Sequence, residues 1–334
     1  MPAGDYNEHC FRLHLAPMFS PRTLGSGAAG PTMTKNIFYA VCFLLVSSVA
    51  FSAETVRQVL GDREFSKGFT ITGQQHADKP RIETFDQKEV TPLWRICQWN
   101  SKGKLENTEI AEDTIRIFDE YKSVTLDRKT GAINLTDNAI KEWDAKLRTS
   151  QHTPWPHLLL EQSPFKNPIS IAKAKNIWVE FDFEITVMDH QGEQNPGLHT
   201  AQVGWFLYLK NVNPDSPGYR DFLWFGTSLF DARQDFTKNY AAQDFAMPNG
   251  SFIYTIGSET YLKEKCDVGR RQKVRYDILP EIEKALKAAH EQGFMKHSLV
   301  KDLTFDGTNI GLEIPGVYNA GITFHKLSVE VIED

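Results

Sequence analysis

NIWVEFDFEITVMDH (residues 176–190), GLHTAQVGWFLYLKN (197–211) and YRDFLWFGTSLFD (219–231) follow one another with short polar connections. In the first run Val179, Phe181, Phe183 and Ile185 alternate with Trp178, Glu180, Asp182 and Glu184. Successive side chains of a strand point to opposite faces, so this run reads as a half-buried strand, apolar toward a core and acidic outward. In the second run Ala201, Val203, Trp205, Leu207 and Leu209 alternate with Gln202, Gly204, Phe206, Tyr208 and Lys210. Both sets are largely apolar or aromatic, which predicts a strand near the middle of a sheet.

Strand patterns recur at 69–72, 93–99, 115–118, 123–126, 132–135, 157–161, 251–256, 271–276, 308–314 and 321–332. Helical spacing is confined to 137–147, with Ile140, Trp143 and Leu147, and to the segment that Pro280 opens, with Ile282, Leu286 and Ala289 before Gly293. Residues 233–249 read as a long polar loop. Many strands, frequent turn residues and little helix predict an all-β fold, an antiparallel β-sandwich of lectin-like jelly-roll type with one or two short helices. A parallel α/β sheet needs a helix between most strands, and most of those helices are missing.

The chain has 334 residues. Met33, Lys35, the apolar run 37–50 and the small residues of Ala50-Phe51-Ser52 form a secretory signal peptide pattern. The expected organisation is an extension at 1–32 (non-native or disordered), a signal peptide at 33–52 and one β-sandwich domain at 53–334. The mature protein is then secreted or periplasmic, with no stable membrane span. A formal net charge of −6 argues against a nucleic-acid partner. Past the signal only Cys97 and Cys266 remain; an oxidising compartment allows them to pair, but spacing does not establish it, and two buried thiols are the favoured reading.

Chemistry is expected first at Glu180, Asp182 and Glu184, which share one strand face. Glycoside hydrolysis needs two carboxyl groups flanking the scissile bond, and a third acid between them raises the pKa of a neighbour by like charge. The alternative is an ordinary solvated acidic strand. The E-x-D-x-E pattern of residues 180–184 resembles the catalytic strand of the laminarinase and xyloglucan-endotransglycosylase family. That resemblance implies a jelly roll, Glu180 as nucleophile and Glu184 as acid/base. The blocks PWPHLLLEQ, GLHTAQVGWFLYLKNVNP, DFLWFG and ITFHKLSVEV resemble a group of secreted bacterial proteins of unassigned function. This second resemblance implies a sandwich and export, and no mechanism.

Two further sets of residues suit a glycan. His199, Gln202, Tyr219 and Arg220, with Tyr208 and Lys210, supply the base, amide and cation types that a jelly-roll polysaccharide lyase uses. Trp178 and Trp155 supply aromatic faces on which sugars stack, while Trp205 and Trp224 read as core. The expected function is therefore a carbohydrate-active protein, a glycoside hydrolase acting on a polysaccharide, with a non-catalytic carbohydrate-binding protein and a lyase as alternatives. Asp189, His190 and Glu193, and Asn211, Asn213 and Asp215, form oxygen-rich turns without diagnostic metal spacing. No cofactor or metal is expected beyond a structural Ca²⁺ in such a turn.

Overall fold

A computed structural model describes residues 54–75, 78–85, 89–244 and 251–333. The readings for residues 1–52, extension and signal peptide, lie outside the described residues. In chain order the strands are β1 (Thr55–Gln58), β2 (Phe69–Ile71), β3 (Arg81–Glu83), β4 (Trp94–Cys97), β5 (Asn107–Ile110), β6 (Thr114–Phe118), β7 (Lys122–Asp127), β8 (Ile133–Asn138) and β9 (His157–Gln162). Then come β10 (Ile169–Ser170), β11 (Ala174–His190), β12 (Gln202–Asn211), β13 (Phe222–Asp231), β14 (Tyr240–Asp244), β15 (Ser251–Ile256), β16 (Arg271–Asp277), β17 (Leu303–Glu313) and β18 (Tyr318–Glu333). The helices are α1 (Ala139–Glu142) and α2 (Leu279–Glu291).

The strands form two packed sheets, as the alternation requires. The smaller runs β16-β11-β18-β8-β7-β6-β5, with β1 also on β18. The larger runs β14-β15-β13-β12-β17-β9-β4-β2-β3, with β10 also on β17. Pairing is antiparallel except at β13–β15 and β2–β4. The three opening runs become β11, β12 and β13, and β12 takes the central place expected of a strand apolar on both faces.

Between the sheets lies the core. Val179, Phe181, Phe183 and Ile185 of β11 meet Val203, Trp205, Leu207 and Leu209 of β12 there. Phe181 stands edge-on to Trp205 across the layers, centroids 5.7 Å apart at 89°. The Trp205 indole N–H donates to Thr308 Oγ1 at 2.8 Å, so the ring is buried without an orphaned donor.

Helix α2 packs Ile282, Ala285, Leu286 and Ala289 into the same core, against β11, the edge strand β14 and its neighbour β15. It joins the sheets and covers neither outer face's centre. Its Glu281 accepts from Tyr254 of the larger sheet (3.4 Å) and Tyr276 of the smaller (3.2 Å). It stops at Gly293, whose φ of 91° lets the Phe294 N–H return to the Ala289 carbonyl.

Two expectations change. The helix read over 137–147 shrinks to Ala139–Glu142, because Asp144 and Ala145 adopt φ of 50° and 54°. The loop read over 233–249 contains β14, an edge strand whose outward Tyr240 is 56% exposed and shows no apolar alternation.

Cys97 and Cys266 are separate free thiols. Burial, then the charge of Glu161, pushes the Cys97 thiol well up; burial and Asp267 push Cys266 up to about 12. Thiolate is the reactive form, so at mildly alkaline pH neither is expected to label in the native protein and both are expected to label on unfolding without reductant. Absence of thiol after unfolding would mean a disulfide.

Candidate functional site

The acidic side of β11 forms part of the smaller sheet's outer face. Register brings a cation or histidine to each acid. Asp182 opposes Lys273 of β16 and Lys326 of β18, Glu180 opposes Arg275, and Glu184 opposes Arg271. Asp182 accepts from both Nε and Nη2 of Arg271, with Lys273 Nζ at 3.9 Å. Glu180 lies 2.7 Å from Lys326 Nζ, and Glu184 lies 3.8 Å from His325 Nε2. The expectation that Asp182 would hold a neighbouring acid protonated therefore meets a carboxylate whose charge Arg271 already answers.

Trp178, expected as a sugar platform, has the Arg275 guanidinium 4.1 Å from its ring centre. A hollow of about 570 Å³ on this face is lined by Thr114, Thr125, Asn134, Thr323, Arg271 and His325 among others, and by no aromatic ring of Phe, Tyr or Trp. These are half-exposed pairs, so Glu180→Gln is expected to change stability by less than about 1 kcal/mol in urea unfolding. A loss of several times that would show the pair to be a structural anchor.

The lyase set is not brought together. His199 is 3% exposed, accepts the Asn195 N–H at Nδ1 (2.9 Å) and donates Nε2–H to the Arg148 carbonyl. Both ring nitrogens are thus engaged, and neither is left to take a proton from a ligand. Tyr219 is exposed in the turn after β12, with Arg220 5.3 Å from its ring centre. His199 precedes β12 and Tyr219 follows it, so roughly 30 Å of strand separates them. In the nearby oxygen-rich turn, Asn213 donates to Asp302 (2.8 Å) and Asn211 to Ser298 (2.8 Å), which ties the turn to the segment before β17.

A different constellation occupies the larger sheet's outer face. Phe206 and Tyr208 of β12 and Phe222 and Trp224 of β13 all lie outside the core cluster. Trp224 is ringed by Tyr208 at 4.7 Å, Phe222 at 5.0 Å and Phe206 at 6.0 Å, each nearly perpendicular to it. Glycines give these rings room to lie close to the sheet. A Cβ on Gly226 would come within 2.6 Å of the Phe206 ring, and one on Gly307 within 2.6 Å of Tyr208. The Trp224 indole N–H is buried and has no hydrogen-bond partner.

Polar groups flank the rings. Tyr208 OH donates to Glu161 Oε2 at 3.1 Å, and Arg95 pairs with Glu161 Oε1 at 2.6 Å. Burial and Glu161 push the Tyr208 phenol up, which keeps it a donor. Further along β12, Gln202 Nε2 (3.3 Å) and Trp155 Nε1 (3.2 Å) donate to Glu313 Oε2, with His157 Nε2 at 3.6 Å. The Trp155 ring is itself stacked on His157 at 5.6 Å and has Arg148 at 4.7 Å. Between the two groups runs a row of smaller side chains across five strands, Ser228, Gly204, Gly311, Leu159 and Cys97, each the register partner of the next.

Glu161 and Glu313 flank that row. Glu161 pairs with Asn309, and Glu313 lies four residues further along the same strand, about 13 Å at the Cα atoms. Each carboxylate is held by donors on its own side of the row. The separations of a retaining pair, about 5–5.5 Å, or an inverting pair, about 6.5–9.5 Å, need both to lean inward.

Of the residues singled out from sequence, Trp155 and Gln202 thus meet at Glu313, and Trp178 lies on the opposite sheet with the β11 acids. Glu313, Glu161, His157 and the outward place of Trp224 went unread. The available signal was a lone acid inside an apolar strand, as in HLLLEQ and GLEIPG.

No protein-family model and no curated protein matches the chain. Among solved structures, a family 12 xyloglucanase from Bacillus licheniformis is similar at 12% identity and TM-score 0.40, covering 67% of this chain and 97% of that one. Endoglucanase Cel12A from Rhodothermus marinus is similar at 10% identity and TM-score 0.36, covering 66% and 92%. An endo-1,4-β-glucanase CelB2 is similar at 8% identity and TM-score 0.39, covering 68% and 96%.

Proposed function

We propose that this is an exported glycan-binding protein whose binding surface is the outer face of the larger sheet. One observation carries the reading: a group of outward-facing aromatic rings packed over glycines and bordered by carboxyl and amide groups. Pyranose rings have apolar faces that stack on such rings, while their hydroxyls bond groups such as Asn309, Gln202 and Glu313. Export rests on the leader pattern at residues 33–52; among the described residues no helix is long and apolar enough to cross a membrane.

The test is a panel of soluble polysaccharides read by affinity electrophoresis and calorimetry, with reducing ends measured in parallel. Saturable binding without new reducing ends is expected, and Glu180→Gln is expected to bind as the parent does. Binding to no member of the panel counts against the reading.

Hydrolysis is the second reading, favoured by the placement of Glu161 and Glu313 on opposite sides of one row. Release of reducing ends that Glu313→Gln abolishes would select it.

A further inference from the structure

Four ionisable side chains clustered at β7, β8 and α1, with Lys122, Asp137 and Glu142 buried and Asp119 half-buried, take no part in the glycan surface. Lys122 and Asp137 are register partners across β7 and β8. Each continues the buried side of its strand, with Val124 and Leu126 on one and Ile133 and Leu135 on the other. The Lys122 side chain is fully buried, with Nζ 3.1 Å from Glu142 Oε1 and 3.4 Å from Asp119 Oδ2. Both of those acids have other donors. Asp119 also accepts the backbone N–H groups of Leu105, Tyr121 and Lys122, and Glu142 Oε2 accepts that of Lys102 at 2.9 Å.

Asp137 is the exception. It is 0% exposed, and neither carboxyl oxygen has a hydrogen-bond partner. A buried polar group in that condition is destabilising, and sheets rarely retain one without cause. Burial, then the charge of Glu142, pushes its carboxyl well above the usual range, which favours the protonated form.

We propose that Lys122 and Asp137 become joined by an intramolecular amide between Nζ and Cγ, with Glu142 carrying the protons. The Lys122 ammonium passes a proton to Glu142, and the freed amine attacks Cγ of the protonated Asp137. The adduct sheds its hydroxyl as water, taking the proton back from Glu142, and the nitrogen's remaining excess proton leaves to solvent. One N–C bond forms and one C–O bond breaks; the products are an amide, one water and one proton, and no oxidant is required. Lys122 and Asp137 are register partners, about 5 Å apart at Cα, which is within the reach of a lysine side chain. The product removes a buried ammonium and an unbonded carboxyl. Its amide N–H donates to Glu142, while Asp119 keeps its three backbone donors.

This proposal is independent of the glycan reading. It is tested by intact mass spectrometry of the folded protein after its N-terminus has been read. The expected mass is one water below that of the sequence, with a branched tryptic peptide joining Lys122 to Asp137 and no cleavage after Lys122. Glu142→Gln and Lys122→Arg are both expected at their full sequence masses. A parent protein at full sequence mass overturns the proposal, as does a water loss that maps to any other residue. A Glu142→Gln protein that still loses water overturns the role given to Glu142. The parent mass decides even where a variant fails to fold.

Discussion

Trp224→Ala is expected to weaken glycan binding by about 10- to 100-fold, ~1.4–2.7 kcal/mol, while the protein stays folded. The indole is the hub of the outer aromatic group, with Tyr208, Phe222 and Phe206 all edge-on to it. Its removal takes away stacking area and lets the other three rings turn. Trp224 lies outside the core cluster, so the sheets lose no contact between them. Trp178→Ala is the matched control: its ring lies beside Arg275 on the opposite sheet, and binding is expected to be unchanged. Calorimetric titration of both variants, with thermal unfolding to confirm their folds, makes the comparison. Equal affinities for Trp224→Ala and the parent would move the surface elsewhere.

The second large effect is on stability. Phe181→Ala is expected to cost about 3–5 kcal/mol, from lost transfer energy and the cavity left behind. The ring is 0% exposed and stands edge-on to Trp205 at 5.7 Å and Tyr261 at 5.5 Å, so it joins β11 to the opposite sheet. Domains are typically stable by only about 5–15 kcal/mol, and a loss of this size shifts the urea midpoint far down. A change below about 1 kcal/mol would mean that the sandwich does not depend on this contact.

The architecture was legible because alternation is a local property. Val179 to Ile185 declares which side of β11 is buried, and the structure places that side between the sheets. Alternation does not say what comes to lie beside the other side. The acids of β11 are answered by Arg271 from β16 and by His325 and Lys326 from β18, far along the chain, and only register brings them there. The strongest-looking acidic motif is therefore an ion-paired surface. Glu161 and Glu313 gave a weaker signal, each a single acid among apolar residues, yet they share a face with the aromatic group.

Trp224 reads as core from sequence, although alternation on β13 sends it outward. The sequence reading of β17 starts at Thr308, just after Asp306-Gly307. In the structure the strand runs through it from Leu303, with a register shift there and the Tyr208 ring close over Gly307. Such close approaches are tertiary facts, and sequence shows only the glycine.

The most direct measurement is the position of a bound oligosaccharide, from crystals soaked with a fragment of whichever polysaccharide the panel selects. The expected result is a pyranose ring against Phe206 and Trp224, its hydroxyls within hydrogen-bond distance of Asn309, Gln202 or Glu313. A sugar seated beside Glu180, Asp182 and Glu184 on the smaller sheet, with the aromatic face bare, would contradict the account.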